Sequence, residues 1–471
     1  MELKTRNKVA FCIGAFGKDV VYMLITSYLL YYYNTVLKMN ASFIGTVLMG
    51  ARVFDAFNDP IMGIVVAKTK TKWGRFRPWI LAGSVLNAVT CYALFATPQG
   101  IDMGGKRIWL IIFYLLWGIT YTLMDIPFWS MVPAITKPGN EREQLSSLAR
   151  SASGIGNAVP MVLTMIIVPV LSASHAVADY YIGFKWWALI VAVTFVVSEA
   201  IFFFNVPEKN VEDIKTNTIG EMFRSLLKND QALAVVGAII FVYTALNMVL
   251  NLMLYFFQTD VAAPDTKLAG QGENFYSTFV AVCFAMQVVA MLLVPVVRKK
   301  VGKFTIFIFG IISQIVGFIL LLLISYSEIY HKTTWMLLLI PGIIVYVGYG
   351  ILNVMLTVFL SDSVDYGEVK NSTRDESVIF SMQTFTVKLA GGIAILVSGV
   401  GLDIIKFNTD KTKAGDLVAQ SASTLSGLRA LITIPSIICL IAALVVFIKF
   451  YKLNDNKMKE ITDTLSSRRS K

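Results

Sequence analysis

Arg52, Asp55 and Asp59 stand at i, i+3 and i+7 inside an apolar stretch, with Asn58 beside them. On a helix this spacing puts all three on one face. Two carboxylates one turn apart repel each other in a low dielectric unless a cation or a proton lies between them. Small hard cations take oxygen ligands, so two carboxylates and an amide oxygen suit Na⁺ or Li⁺, while H⁺ needs a single carboxylate. The competing reading is an internal salt-bridge network that closes around Arg52 and Lys388.

A second constellation has a different chemistry. Tyr121, Asp125 and Trp129 recur at i, i+4 and i+8, so one helix face carries a hydroxyl, a carboxylate and an indole. A sugar needs that mixture: a carboxylate to accept from neighbouring hydroxyls, a cationic donor, and an aromatic plate for the apolar ring face. Lys18 and Asp19 offer another donor and acceptor, and Arg150 a further donor. Trp129 has a plainer alternative as an interfacial belt residue.

These charges must be held by apolar elements. The chain has 471 residues, 56% hydrophobic and only 15% charged. About 25% charged is usual for a soluble chain. A helix crosses the bilayer core with about 20 apolar residues. Such stretches are predicted near 9–36, 42–67, 78–97, 108–133, 146–172, 185–206, 233–259, 275–297, 305–326, 335–361, 378–403 and 428–451. The fold class expected is an all-α membrane protein with twelve transmembrane helices in two six-helix halves. An ionisable side chain at mid-bilayer costs at least about 2.5–3.5 kcal/mol and is a functional hypothesis by default. Spans 1, 2, 4, 5 and 11 carry such residues: Lys18 and Asp19; Arg52, Asp55 and Asp59; Asp125; Arg150; and Lys388. Four of the five spans lie in the first half, so that half should build most of the coupling site.

The net charge of +11 does not mark a nucleic-acid binder, because Lys and Arg sit in short loops rather than in one patch or tail. With both termini cytoplasmic, the inside segments hold about 26 Lys and Arg and the outside loops about 8. The positive-inside rule favours that orientation. The organisation expected is a six-helix bundle over 1–206, a cytoplasmic middle loop over 207–232, a second bundle over 233–452 and a cytoplasmic tail over 453–471. A faint repeat supports two halves: Trp73-Gly74-Arg75-Phe76 follows span 2, and Val301-Gly302-Lys303-Phe304 follows span 8. Opposite charges are expected to close the cytoplasmic side, with Arg75, Arg77 and Arg142 facing Asp362, Asp365, Glu368, Arg374 and Glu376 in the loop after span 10. The four cysteines lie apart in apolar stretches and suggest no disulfide or metal site. His175 and His331 fall in expected outer loops. Lys18 and Asp19 argue for a retained first helix rather than a cleaved signal peptide. A membrane enzyme would need an extramembrane catalytic domain, and no loop exceeds about 30 residues.

The longer motifs resemble the glycoside–pentoside–hexuronide:cation symporters of the major facilitator superfamily, nearest their melibiose permease branch. They are Gly14-Ala15-Phe16-Gly17-Lys18-Asp19, Arg52-Val53-Phe54-Asp55-Ala56-Phe57-Asn58-Asp59-Pro60, Lys72-Trp73-Gly74-Arg75-Phe76-Arg77-Pro78-Trp79, Tyr121-Thr122-Leu123-Met124-Asp125-Ile126-Pro127-Phe128-Trp129-Ser130 and Asp362-Ser363-Val364-Asp365-Tyr366-Gly367-Glu368. The resemblance runs from about residue 10 to 455. It implies a Na⁺, Li⁺ or H⁺ site at Asp55, Asn58, Asp59 and Thr122. It implies a sugar site at Lys18, Asp19, Tyr121, Asp125, Trp129 and Arg150, with Gln383, Thr384 and Lys388 from span 11 and Lys388 between the two sites. Asp125 favours an α-galactoside such as melibiose or raffinose. The alternative is a proton-coupled symporter for another glycoside, a pentoside or a hexuronide. Thr26 and Asn353 depart from the branch pattern, which has aromatics there, and leave the second sugar ring open. The resemblance thus implies a monomeric, multi-pass carrier of the bacterial cytoplasmic membrane that makes no covalent change to its substrate. Its partners are a small sugar, a monovalent cation and lipid, with no resident cofactor and no nucleic acid.

Overall fold

The computed structural model describes residues 4–69, 71–136, 140–173, 179–208, 227–263, 268–327, 335–371, 376–410 and 417–469. Thirteen α-helices run through them: α1 Thr5–Tyr31, α2 Ala41–Lys68, α3 Arg77–Phe95, α4 Met103–Ile135, α5 Asn140–Leu171, α6 Tyr180–Asn205, α7 Asp230–Phe256, α8 Gly272–Arg298, α9 Lys303–Tyr326, α10 Leu339–Asn371, α11 Glu376–Ile404, α12 Ala422–Phe450 and α13 Asp455–Arg469. Eleven are long and apolar enough to cross a membrane. The twelfth long helix of the bundle, α2, carries Arg52, Asp55 and Asp59, which lower its apolar character. The protein is therefore an all-α, multi-pass membrane protein.

Helix starts follow local chemistry. Asn40, Asp102, Asn229 and Ser421 each accept a hydrogen bond from a first-turn N–H: Phe43 at 2.9 Å, Gly105 at 2.9 Å, Ala232 at 3.0 Å and Thr424 at 3.2 Å. Such caps satisfy donors that have no partner within the helix.

The chain divides into two compact units, Met1–Thr216 with Asn408–Val418, and Asn217–Phe407 with Ala419–Lys471. Internally the two are built alike. In the first, α1 packs on α5 and α6, α3 on α4 and α6, and α2 on α4. In the second, α7 packs on α11 and α12, α9 on α10 and α12, and α8 on α10. Each pair recurs six helices later. The leading helices match in length too: α1 and α7 are each 27 residues and each runs into a five-residue π-helix, Tyr32–Val36 and Phe257–Val261. Both π-turns are buried throughout.

One placement needs correction. Asp362, Asp365 and Glu368 are not in a loop; α10 continues through them to Asn371. Apolar pattern marks only the part of a helix that meets lipid, and the backbone ladder can continue into water with charged side chains. Asp362 is ion-paired with Lys303 in the same unit. Arg374, His175, His331 and Lys70 lie outside the described residues, as do the side chains of Arg142 and Glu376.

The turn into α3 is held by one carboxylate. Glu208 accepts from the backbone N–H groups of Arg75 at 2.6 Å, Phe76 at 3.0 Å and Arg77 at 3.4 Å. Gly74 sits at φ +108°, which glycine adopts without strain, and a Cβ there would run into the Glu208 carboxylate. Hydrogen bonds to a charged acceptor contribute about 1.5–3 kcal/mol each. Glu208→Ala is therefore expected to lower the thermal unfolding temperature of the purified protein clearly, and Glu208→Gln less. Equal melting curves for wild type and Glu208→Ala would contradict this clasp.

Candidate functional site

The buried charges of the first unit meet where α1, α2 and α4 approach. Lys18 is the hub on α1. Its ammonium lies 2.8 Å from Asp19 Oδ1, 2.7 Å from Asp125 Oδ1 on α4 and 3.3 Å from the Tyr121 hydroxyl. It is almost fully buried. A lysine there is tolerable because two carboxylates and a phenol replace its water. The same ammonium stands 5.2 Å from the Trp129 ring centroid and 5.7 Å from that of Tyr121. Trp129 is also covered by the Arg150 guanidinium, whose central carbon is 4.1 Å from the ring centroid. Trp129 thus has two cations near its ring, which an indole meeting only lipid would lack.

One turn away, α2 and α4 meet at a second group. Asp55 Oδ2 is 3.4 Å from Arg52 Nη1, and both residues are buried. Gly118 on α4 permits this: a Cβ at that position would stand 2.7 Å from Asp55 Oδ1. Asp59 accepts a hydrogen bond of 2.8 Å from the Thr122 hydroxyl. The Asn58 amide is buried beside them, and its Nδ2 has no hydrogen-bond partner among the described residues. The guanidinium of Arg52 packs against the rings of Trp117 at 5.6 Å and Tyr22 at 5.8 Å. Tyr22 in turn lies 5.2 Å from Tyr121. An aromatic wall therefore links the two groups.

The structure brings together Lys18, Asp19, Tyr121, Asp125, Trp129 and Arg150 as one cluster, and Asp55, Asn58, Asp59 and Thr122 with Arg52 as its neighbour. In the second unit, Gln383 and Lys388 are half-buried on α11, and the side chain of Thr384 lies outside the described residues. Asn353 donates to the Tyr243 hydroxyl at 3.1 Å and to that of Tyr349 at 3.3 Å. The Thr26 hydroxyl donates to its own helix, at Tyr22 O, 3.0 Å.

Two features were not singled out from the sequence. Tyr22 lies four residues from Lys18, hence on the same face of α1, and that spacing could have flagged it. Glu199 is the only ionisable residue between Trp186 and Val206, a run apolar enough for its acid to stand out.

Comparison with known proteins fits this arrangement. Residues 10–455 match the family described as MFS/sugar transport protein. The isoprimeverose transporter of Lactiplantibacillus pentosus is 26% identical over 97% of this chain and 90% of its own length. The raffinose carrier protein of Pediococcus pentosaceus is 28% identical over 98% of this chain and 71% of its own. Among solved structures, the nucleoside transporter NupG superposes with a TM-score of 0.65 at 14% identity, covering 94% of this chain and 99% of that one, a likeness of fold alone. The match spans nearly the whole chain and both units, so the protein is a membrane transporter, not an enzyme, and belongs to the MFS/sugar transport protein family.

Proposed function

We propose that this protein is a cation-coupled symporter that carries an α-galactoside, such as melibiose or raffinose, into a bacterial cell by alternating access. The observation that supports it most is the Lys18 hub: two carboxylates, an ammonium, a phenol and a cation-backed indole in one apolar bundle. Asp19 and Asp125 accept from sugar hydroxyls, Lys18 and Arg150 donate, and Trp129 covers the ring face. Asp55, Asn58, Asp59 and Thr122 offer oxygens to Na⁺, Li⁺ or H⁺. The two groups share α4, so a cation that draws in Thr122 moves the helix that carries Tyr121 and Asp125. On the family resemblance Gln383, Thr384 and Lys388 also belong to the sugar-binding set, and both termini are cytoplasmic.

The relatives' names support a glycoside: one is a raffinose carrier and another an isoprimeverose transporter. Raffinose carries an α-galactosyl end, which fits the two acids. The test is uptake of a panel of radiolabelled glycosides into membrane vesicles with and without Na⁺. Saturable, Na⁺-stimulated uptake of α-galactosides is expected. Uptake of a pentoside or hexuronide that ignores Na⁺ would replace this reading by a proton-coupled one.

Discrimination among aglycones should be looser than among first rings. Thr26 and Asn353 stand where the family branch has aromatics, and both are tied up in hydrogen bonds of their own. In competition binding, α-galactosides with different aglycones are expected to differ by less than about tenfold, while inversion of a hydroxyl on the galactosyl ring costs more. A wider spread among aglycones than among first rings would contradict it.

A further inference from the structure

Among the described residues of the first unit, Glu199 is the one buried acid that this transport scheme does not use. It lies on α6, fully buried, and neither carboxylate oxygen has a hydrogen-bond partner among the described residues. Its neighbours one turn away along α6 are apolar: Phe195 on one side and Phe202 and Phe203 on the other, all buried. Phe202 packs on Phe11 and Phe128, with ring centroids 5.4 and 5.1 Å apart. The neighbouring Ser198 hydroxyl donates to Thr194 O instead. Ser198 faces Gly17, the residue before Lys18, so closely that a Cβ on Gly17 would stand 2.4 Å from the Ser198 Cβ. Glu199 is therefore set behind the Lys18 hub, on the side where α1 meets α6.

Lys18 and Asp19 directly follow Gly17, the α1 residue that Ser198 approaches, and Lys18 is paired with Asp125 of α4. Of the other helices packed on α6, α3 carries Arg77, Cys91 and Tyr92 and α5 carries Glu141, Arg142, Glu143 and Arg150. Arg150 lies over Trp129. With Glu199 ionised, this part of the unit would hold three carboxylates, Asp19, Asp125 and Glu199, for the one ammonium of Lys18. The third carboxylate would be a buried charge with no hydrogen bond from the described residues, which is unfavourable. No group of three His, Cys, Asp or Glu side chains that could hold a metal ion occurs among the described residues. A proton needs no such cage.

We propose that Glu199 is a proton-binding site, distinct from the Asp55–Asp59 site, whose proton is held as long as Lys18 stays on Asp125. When Lys18 is released from Asp125, its ammonium can turn to Glu199. The carboxyl O–H then breaks, the electron pair stays on the carboxylate, and the proton goes to water. Anything that competes for Asp125 is thereby linked to the release of one proton. On the reading above, a sugar hydroxyl is such a competitor. The proposal deepens that reading, but the proton site itself does not depend on which sugar is carried.

Infrared spectroscopy of the full-length protein in lipid nanodiscs, without sugar, tests it. At neutral pH the wild type is expected to show a carboxylic-acid C=O band that shifts on carbon-13 glutamate labelling and is absent in Glu199→Gln. The labelled wild type gives an answer even where the variant folds poorly. Asp125→Asn, which frees Lys18, is expected to lose most of the same band. A wild type without a glutamate-labelled acid band overturns the proton site. A band of full intensity in Asp125→Asn overturns its link to Lys18. Because neither measurement uses sugar or Na⁺, failure of the galactoside assignment would leave both readouts intact.

Discussion

Asp125→Ala should lower sugar affinity at least about a hundredfold, since each tenfold corresponds to about 1.4 kcal/mol. The physical reason is double. Asp125 is expected to accept sugar hydroxyls, and it is one of the two carboxylates that hold Lys18 at 2.7–2.8 Å. Breaking a buried ion pair by removing one partner costs about 3–5 kcal/mol, because the remaining charge stays in the low dielectric. Asp19→Ala should cost at least about tenfold, since a charged group left without a hydrogen bond costs more than the ~1–3 kcal/mol of a neutral one. Competition binding on purified protein decides both. Full affinity in both variants would show that the sugar is bound elsewhere. Equal inhibition of wild type by matched α-galactosides and α-glucosides would remove the galactoside assignment and leave the transporter.

Much of this architecture is legible in the residues, because lipid imposes simple rules. Twelve apolar stretches predict helices whose observed ends mostly fall within a few residues of them. The larger misses are at helix ends beyond the apolar runs. α10 continues ten residues past its predicted end, and α5 and α12 begin six residues early, at Asn140 and Ala422. There the backbone ladder outlasts the hydropathy signal. The internal repeat is faint in sequence and plain in structure. Matched π-turns after two 27-residue helices, and five helix pairings that recur six helices on, need no shared side chains.

The site was partly legible for a different reason. Spacing along one helix predicts which charges share a face, as for Asp55 with Asp59 and for Tyr121 with Asp125 and Trp129. It says nothing about which helices meet. That Lys18 pairs with Asp125, or that Gly118 opens space for Asp55, follows only from the packing of α1 and α2 on α4. Glu199 escaped for the converse reason: a single acid has no partner in its own helix to make a pattern, and its meaning lies in having no hydrogen-bond partner among the described residues. Arg52 is the case in which both sequence readings survive in part. It does pair with Asp55, as the internal-network reading expects, while Asp59 accepts a hydrogen bond from the Thr122 hydroxyl, an oxygen that the cation-site reading also uses.

The second large prediction concerns Asp59. Asp59→Cys is expected to abolish the rise in sugar affinity that Na⁺ or Li⁺ produces, while sugar still binds in the absence of cation. The Lys18 hub has no atom from Asp59 among its contacts, so its donors and acceptors remain in place. The cation site loses a formal charge that Asp55, already 3.4 Å from Arg52, cannot supply alone. By linkage the loss must be reciprocal: sugar will no longer raise cation affinity in the variant. Transport responds more steeply than binding. One cation moving down about 100 mV releases about 2.3 kcal/mol, enough for roughly 40–50-fold accumulation. Asp59→Cys vesicles should equilibrate sugar across the membrane but not concentrate it. Thr122→Ala removes only a neutral oxygen, so it should raise the Na⁺ concentration needed for half-maximal stimulation and leave the maximal effect intact. Sugar affinity measured with and without Na⁺ in the three proteins decides the matter. If Na⁺ raises sugar affinity in Asp59→Cys by the wild-type factor, the cation does not bind at Asp59.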